Sequence, residues 1–125
     1  MAIELNHTIV HSTDKKAGAA FLTDLFGLPD AVPFGPFMAV HLSNSVTLDY
    51  LDVEGTPTVN HYAFLVTDEE FDDIFGRIQD RGLDYWADPA RSRPGEINTN
   101  DGGRGVYFLG PDDHVLEIIT VSYGG

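Results

Sequence analysis

Two histidines and two carboxylates of this chain stand where metal chemistry can be built. His7 closes Leu5-Asn6-His7 and His61 closes Val59-Asn60-His61, each leading into an apolar run. Asp49 lies inside Thr47-Leu48-Asp49-Tyr50 and Glu117 inside Val115-Leu116-Glu117-Ile118. An ionised group in a covered strand costs several kcal/mol unless it is paired, and Glu117 has few partners near it in sequence. A lone strand histidine is ordinarily a packed, hydrogen-bonded residue; two at equivalent places, each matched by an acid, point instead to ligation. Two imidazoles with one or two carboxylates suit Fe, Mn, Ni, Co or Zn as a divalent ion. Two histidines and one carboxylate with positions left open are the arrangement of non-haem iron oxygenases. The expected metal ligands are His7, His61 and Glu117. Asp49 is one methylene shorter than glutamate and is expected as a fourth ligand, directly or through water, or as a base.

The elements that must position these groups come twice. Ile3 to Val10 is apolar on both alternating sets and predicts a central strand covered on both faces. Asp14 caps a helix over Lys15 to Phe26, with Ala17, Phe21 and Leu25 on one face and Gly27 ending it. Pro29 to Pro36 is turn-rich with room for a short strand, and 37–42 with 46–51 predict a hairpin around Ser43-Asn44-Ser45. After Glu54-Gly55-Thr56-Pro57 the order restarts. Val59 to Val66 predicts a strand. Thr67-Asp68-Glu69-Glu70 has the form of a capping box, before a helix whose face is Phe71, Ile74, Phe75 and Ile78 and whose end is Gly82. A short strand at Leu83 to Ala87, a polar loop from Asp88 to Gly103 and closing strands at Arg104–Leu109 and His114–Val121 complete the second half. Internal duplication explains the pattern. Facing halves would bring His7, Asp49, His61 and Glu117 together from four strands.

The composition excludes several classes of function. Twenty acidic residues against seven basic ones give a net charge of −13. Nucleic acids need clustered Lys and Arg, and anionic membranes are disfavoured in the same way. The field would welcome a metal ion or cationic ligand, although acidic surfaces also simply keep proteins soluble. No apolar run approaches the roughly 20 residues of a membrane helix, and Met1-Ala2-Ile3-Glu4 has no secretory pattern. Cysteine is absent, which excludes disulfides and thiolate ligands and fits the expected cytoplasmic location.

Gly105-Val106-Tyr107-Phe108-Leu109-Gly110-Pro111-Asp112-Asp113-His114-Val115-Leu116-Glu117 is similar to the closing hairpin of the vicinal oxygen chelate superfamily. That superfamily includes glyoxalase I, fosfomycin-resistance enzymes, extradiol dioxygenases and bleomycin-resistance proteins. With the two Asn-His segments, the resemblance covers nearly the whole chain; its motif is specific for the fold and says little about the reaction. It implies an α+β fold, a single domain over 1–125. Two βαβββ modules, about 1–54 and about 58–123, would form a curved mixed sheet around a metal or ligand cavity, with helices on the outer face. It also places His7, His61 and Glu117 at the family's metal-ligand positions. Tyr107 matches a tyrosine that points toward substrate in several members, although a core aromatic with a bonded hydroxyl is an equal alternative. His114 follows the turn and fits a hairpin residue better than a ligand.

The departures narrow the choice. Glyoxalase I has glutamate where this chain has Asp49. His41 would match the extradiol acid–base histidine only if it faces inward. Fosfomycin enzymes carry basic residues for the phosphonate, and few candidates exist here beyond Arg91, Arg93 and Arg104. Bleomycin-binding relatives generally lack the metal set. The expected function is that of a divalent-metal-dependent enzyme of the glyoxalase or dioxygenase type, which chelates vicinal oxygens of a small organic substrate. Asp49 and Tyr107 would be its catalytic groups. The alternative is a metal-free protein that sequesters a cationic or aromatic, antibiotic-like ligand. The resemblance further implies a homodimer. Tyr85, Trp86 and the Arg91–Gly103 loop could line or cover a pocket, or serve as packing and surface.

Overall fold

Asp14 and Thr67 start the two helices as their side-chain chemistry requires, and the strands on either side of each helix form a sheet. The computed structural model describes residues 3–123. It divides into two compact units, one up to Val59 and one from Asn60.

In the first unit β1 (His7–Ser12), α1 (Lys15–Phe26), β2 (Val32–Phe34), β3 (Phe37–His41) and β4 (Thr47–Asp52) follow in order. The sheet order is β1-β4-β3-β2, with β1 parallel to β4 and the other pairs antiparallel. The register sets Ile9 beside Asp49 and Asp49 beside Ala39, with His7, Thr47 and His41 in the next row of that face. Alternation sends Val10, Ser12, Leu48, Tyr50 and Val40 to the other face, where they are buried. α1 covers that second face. A Cβ on Gly18 would lie 3.1 Å from both Ser12 Oγ and Tyr50 Cδ2, so glycine is what lets the helix approach. The Asp14 carboxylate accepts from Ala17 N, and Gly27 closes the helix in the left-handed conformation at φ 68°.

The second unit repeats the plan with β5 (His61–Leu65), α2 (Asp68–Asp80), β6 (Tyr85–Trp86), β7 (Gly105–Leu109) and β8 (Val115–Ile119), in sheet order β5-β8-β7-β6. Thr67 and Glu70 form the reciprocal capping box, with Glu70 N donating to Thr67 Oγ1 at 3.1 Å and Thr67 N to Glu70 Oε1 at 2.9 Å. Phe71, Ile74 and Ile78 are buried, as the helical spacing predicts. Arg104 ties the start of β7 to α2 by donating to Asp72 and Asp68 across its stack on Phe71. The duplication reaches the register itself. His61 faces Val115 as His7 faces Thr47, and Ala63–Glu117–Tyr107 repeats Ile9–Asp49–Ala39.

The structure corrects three expectations. The curved mixed sheet around a cavity is not found: the modules form two separate open four-stranded sheets, neither closed nor strongly curled. Strands of two to six residues give twist little length over which to coil a sheet. The strand expected to be central and doubly covered, Ile3 to Val10, instead lies at the end of its sheet. β1 begins only at His7, and Ile3 and Leu5 ahead of it are exposed. The buried face of α1 is Gly18, Ala19, Leu22 and Leu25, whereas Ala17 is exposed and Phe21 half-buried. Close contact at Gly18 turns the helix by about one residue from the face that bulk alone suggests. Among the described residues no helix is long and apolar enough to cross a membrane.

Candidate functional site

Glu117 sits in the middle of β8 with 1% of its surface exposed, and a ring of polar groups meets its carboxylate. The parallel neighbour β5 supplies His61, whose Nε2 lies 3.0 Å from Glu117 Oε1. The antiparallel neighbour β7 places Tyr107 directly opposite Glu117, its ring stacked against His61 at 5.9 Å between centroids. Just beyond β8, Tyr123 turns its hydroxyl to the same carboxylate, donating at 2.9 Å to Oε1 and 2.7 Å to Oε2. The Tyr107 and Tyr123 hydroxyls are 3.2 Å apart. Gly103 makes room for that tail: a Cβ there would fall 2.6 Å from Val121 Cγ2.

The protons of His61 define what this cluster needs. Its Nδ1 is 3.0 Å from the carbonyl oxygen of Val115. A carbonyl only accepts, so Nδ1 carries hydrogen. In the neutral ring Nε2 then holds a lone pair, aimed at a Glu117 carboxylate oxygen. Two lone pairs at that distance repel, so the pair requires a positive charge between them, either a proton or a metal ion. An imidazole whose Nδ1–H is tied to a backbone carbonyl is the tautomer that offers Nε2 to a metal. By donor type, one imidazole nitrogen and one carboxylate, the pair suits a divalent metal. Tyr107 is nearly buried, and its hydroxyl is pushed above the ordinary tyrosine pKa, chiefly by burial, then by its bonds to Tyr123 and the Glu117 carboxylate. For Tyr123 the bond with Tyr107 pulls down, but the carboxylate and burial outweigh it and the net shift is upward. Both phenols stay protonated and serve as donors.

His7 and Asp49 belong to the first unit, on the sheet face that α1 leaves free. His7 is exposed, with Nδ1 2.7 Å from Asn6 Oδ1. Asp49 is 5% exposed and its Oδ1 is buried without a hydrogen-bond partner. That face carries a hollow of about 440 Å3 bounded by Ile9, Val32, Phe34 and Phe37, with His7 and Asp49 among its polar lining. His41 lines it as well, its Nδ1 3.2 Å from Thr47 Oγ1.

The structure thus brings together His61, Tyr107 and Glu117 within one unit and places His7 and Asp49 in the other. Among the described residues no three histidine or carboxylate side chains group to hold a metal ion. His114 is the buried hairpin residue expected, accepting from Asn60 N at 3.1 Å. Trp86 pairs in register with Tyr107, under the Arg91 guanidinium. Tyr123 is the member of this cluster that the sequence did not disclose, because it follows the last strand where no periodicity applies.

Known proteins resemble the whole chain. A structure of a protein called oxidase ChaP-H1 is 63% identical, covers 99% of this chain and 100% of its own, and superposes with a TM-score of 0.96. A second, oxidase ChaP-H2, is 58% identical over 100% of this chain and 98% of its own, also with a TM-score of 0.96. A curated relative, the glutathione transferase FosA of Serratia marcescens, is 27% identical across 94% of this chain and 81% of its own length. Lactoylglutathione lyase, glyoxalase/dioxygenase and FosX structures share the fold at lower identity, and that likeness concerns the fold alone. No protein-family model matches the chain.

Proposed function

We propose that the chain is a member of the vicinal oxygen chelate superfamily, whose fold it shares, and a metal-dependent oxidase of a small organic substrate. The proposed ligands of the divalent ion are His7, His61 and Glu117. The observation that carries this is the His61–Glu117 pair, whose Nδ1–H is committed to Val115 and whose facing nitrogen and oxygen, 3.0 Å apart, are a donor pair that a divalent ion could take up in place of a bridging proton. The two similar proteins called oxidases support oxidation over a lyase or isomerase reaction. An oxidation favours the redox-active members of the expected metals, with iron first for two histidines and one carboxylate.

When bound, the ion supplies Lewis acidity toward two neighbouring substrate oxygens, together with redox capacity. The protein's own groups do the rest. The Val115 carbonyl holds the His61 ring in its tautomer. Tyr123 fixes both oxygens of Glu117 and acts as a positioning residue. Tyr107 keeps its proton and can donate a hydrogen bond to a developing negative charge. Asp49 is the base, able to accept a proton from a substrate hydroxyl. The net charge of −13 raises the local cation concentration and disfavours anionic substrates.

Metal analysis of protein purified without chelators tests the proposal. About one iron or manganese ion per chain is expected, lost in the His7→Ala, His61→Ala and Glu117→Gln variants, with dioxygen uptake lost alongside. Protein that takes up no added Fe(II), Mn(II) or Zn(II) would overturn it in favour of metal-free sequestration.

A further inference from the structure

After β8 the chain makes a return that the strand ladder does not require. Thr120 is the last residue tied to the start of β7: its N donates to Arg104 O at 3.0 Å, and its Oγ1 accepts from Arg104 N at 2.9 Å. Beyond it, among the described residues, no backbone hydrogen bond holds 121–123. Two side-chain contacts hold them instead. Val121 lies in a notch at Gly103, where a Cβ would fall 2.6 Å from Val121 Cγ2 and 2.7 Å from Thr120 Oγ1. Gly103 is extended at φ −116°, which any residue adopts, so space rather than backbone freedom calls for glycine. At the far end the Tyr123 hydroxyl reaches both oxygens of the buried Glu117, although Tyr123 itself is 46% exposed. Its one hydrogen is spent on the carboxylate, so its oxygen is left to accept from Tyr107 at 3.2 Å. A single exposed side chain thus occupies both groups. A segment with so few ties opens locally, ahead of the strands it leans on.

We propose that residues 120–123 form a latch over the second unit's carboxylate. Closed, the latch commits Glu117 and the Tyr107 hydroxyl to the chain's own phenol. Open, it leaves both to an incoming partner. A buried carboxylate loses a donor at a cost, so open states are brief until something replaces the phenol, and the opening of the tail sets how fast Glu117 is reached. This deepens the proposed function by adding a regulation of that site, and it rests on that function only in taking the replacement to be a metal ion.

The test measures how fast Glu117 is amidated by a water-soluble carbodiimide with glycine ethyl ester, in the chelator-treated full chain, by peptide mass spectrometry. Asp49, in the first unit and outside this cluster, is followed in the same sample and reports any general loosening. A hydrogen bond to a charged group is strong enough that Tyr123→Phe should raise the Glu117 rate about tenfold or more, with the Asp49 rate changed less than about twofold. Gly103→Ala keeps the phenol but fills the notch, and should raise the Glu117 rate by a similar factor. Added Zn(II) should slow Glu117 labelling in the wild type. If Zn(II) has no effect while both variants still show the rise, the metal reading fails and the latch is supported. Unchanged Glu117 labelling in either variant, or an equal rise at Asp49, overturns the proposal.

Discussion

Glu117 and Asp49 occupy the same place in two copies of one module, and their surroundings differ in every functional respect. Each is the middle residue of a row of three across the sheet, but the row reads Ala63–Glu117–Tyr107 in one unit and Ile9–Asp49–Ala39 in the other. The longer glutamate reaches an imidazole and a tyrosine hydroxyl and is bonded at both oxygens. The shorter aspartate keeps one oxygen without a partner beside an alanine. The histidines differ in the same sense: His61 has Nδ1 tied to a backbone carbonyl, while His7 is exposed and bonded to its neighbour Asn6. Duplication supplied the placement, and a few side-chain differences then divided the work. One unit holds an imidazole–carboxylate pair; the other holds a buried carboxylate oxygen without a hydrogen-bond partner.

The sharpest way to break that contrast is to neutralise each carboxylate in turn. Glu117→Gln should lower Fe(II) or Zn(II) affinity by more than about 100-fold, since even outer-shell changes at metal sites cost about 10–100-fold. Asp49→Asn should change it by less than about threefold. Competition against a chromophoric chelator measures both. Equal losses would mean that the two carboxylates serve one ion, and the division of roles would be wrong.

A smaller effect is expected at Tyr123. Tyr123→Phe removes one donor from a buried carboxylate that retains His61, so we expect a loss of stability of about 1–2 kcal/mol. Metal affinity should fall about tenfold, as for other residues that orient a ligand. Thermal melts with and without Zn(II) check both figures. An unchanged melt together with unchanged affinity would show that the tail does not hold Glu117 in solution.

What the sequence disclosed follows from how each feature is encoded. The shared face of His61, Tyr107 and Glu117 is readable because repeats and strand alternation are periodic, and the observed register agrees. The capping box and Gly27 are readable because capping chemistry is local. The face of α1 was missed by a residue because a glycine contact, rather than bulk, decides it. The end position of β1 is not readable, because apolar residues on both alternating sets of Ile3 to Val10 do not reveal that a strand ends its sheet. Tyr123 and the open acceptor of Asp49 were not legible at all. The first depends on where a tail returns and the second on alanine lying across from it, and neither leaves a mark within the local sequence.

The smallest expected effect lies at alkaline pH and again separates the units. Tyr107 has its pKa raised by burial and by the carboxylate opposite, whereas its counterpart in the first unit is Ala39, which does not titrate. An unfolded tyrosine ionises near pH 10, while the folded phenol keeps its proton to higher pH. The stabilisation linked to this shift is therefore complete below about pH 10 and is lost as pH rises beyond it, because only the unfolded state releases the proton there. Wild-type melting temperature should fall more steeply between about pH 9.5 and 11.5 than that of Tyr107→Phe. The difference should be a few degrees at the upper end, since a single group is involved. Parallel curves would mean that the Tyr107 hydroxyl is free to ionise in the fold, and it could then not be the proton-bearing donor beside Glu117.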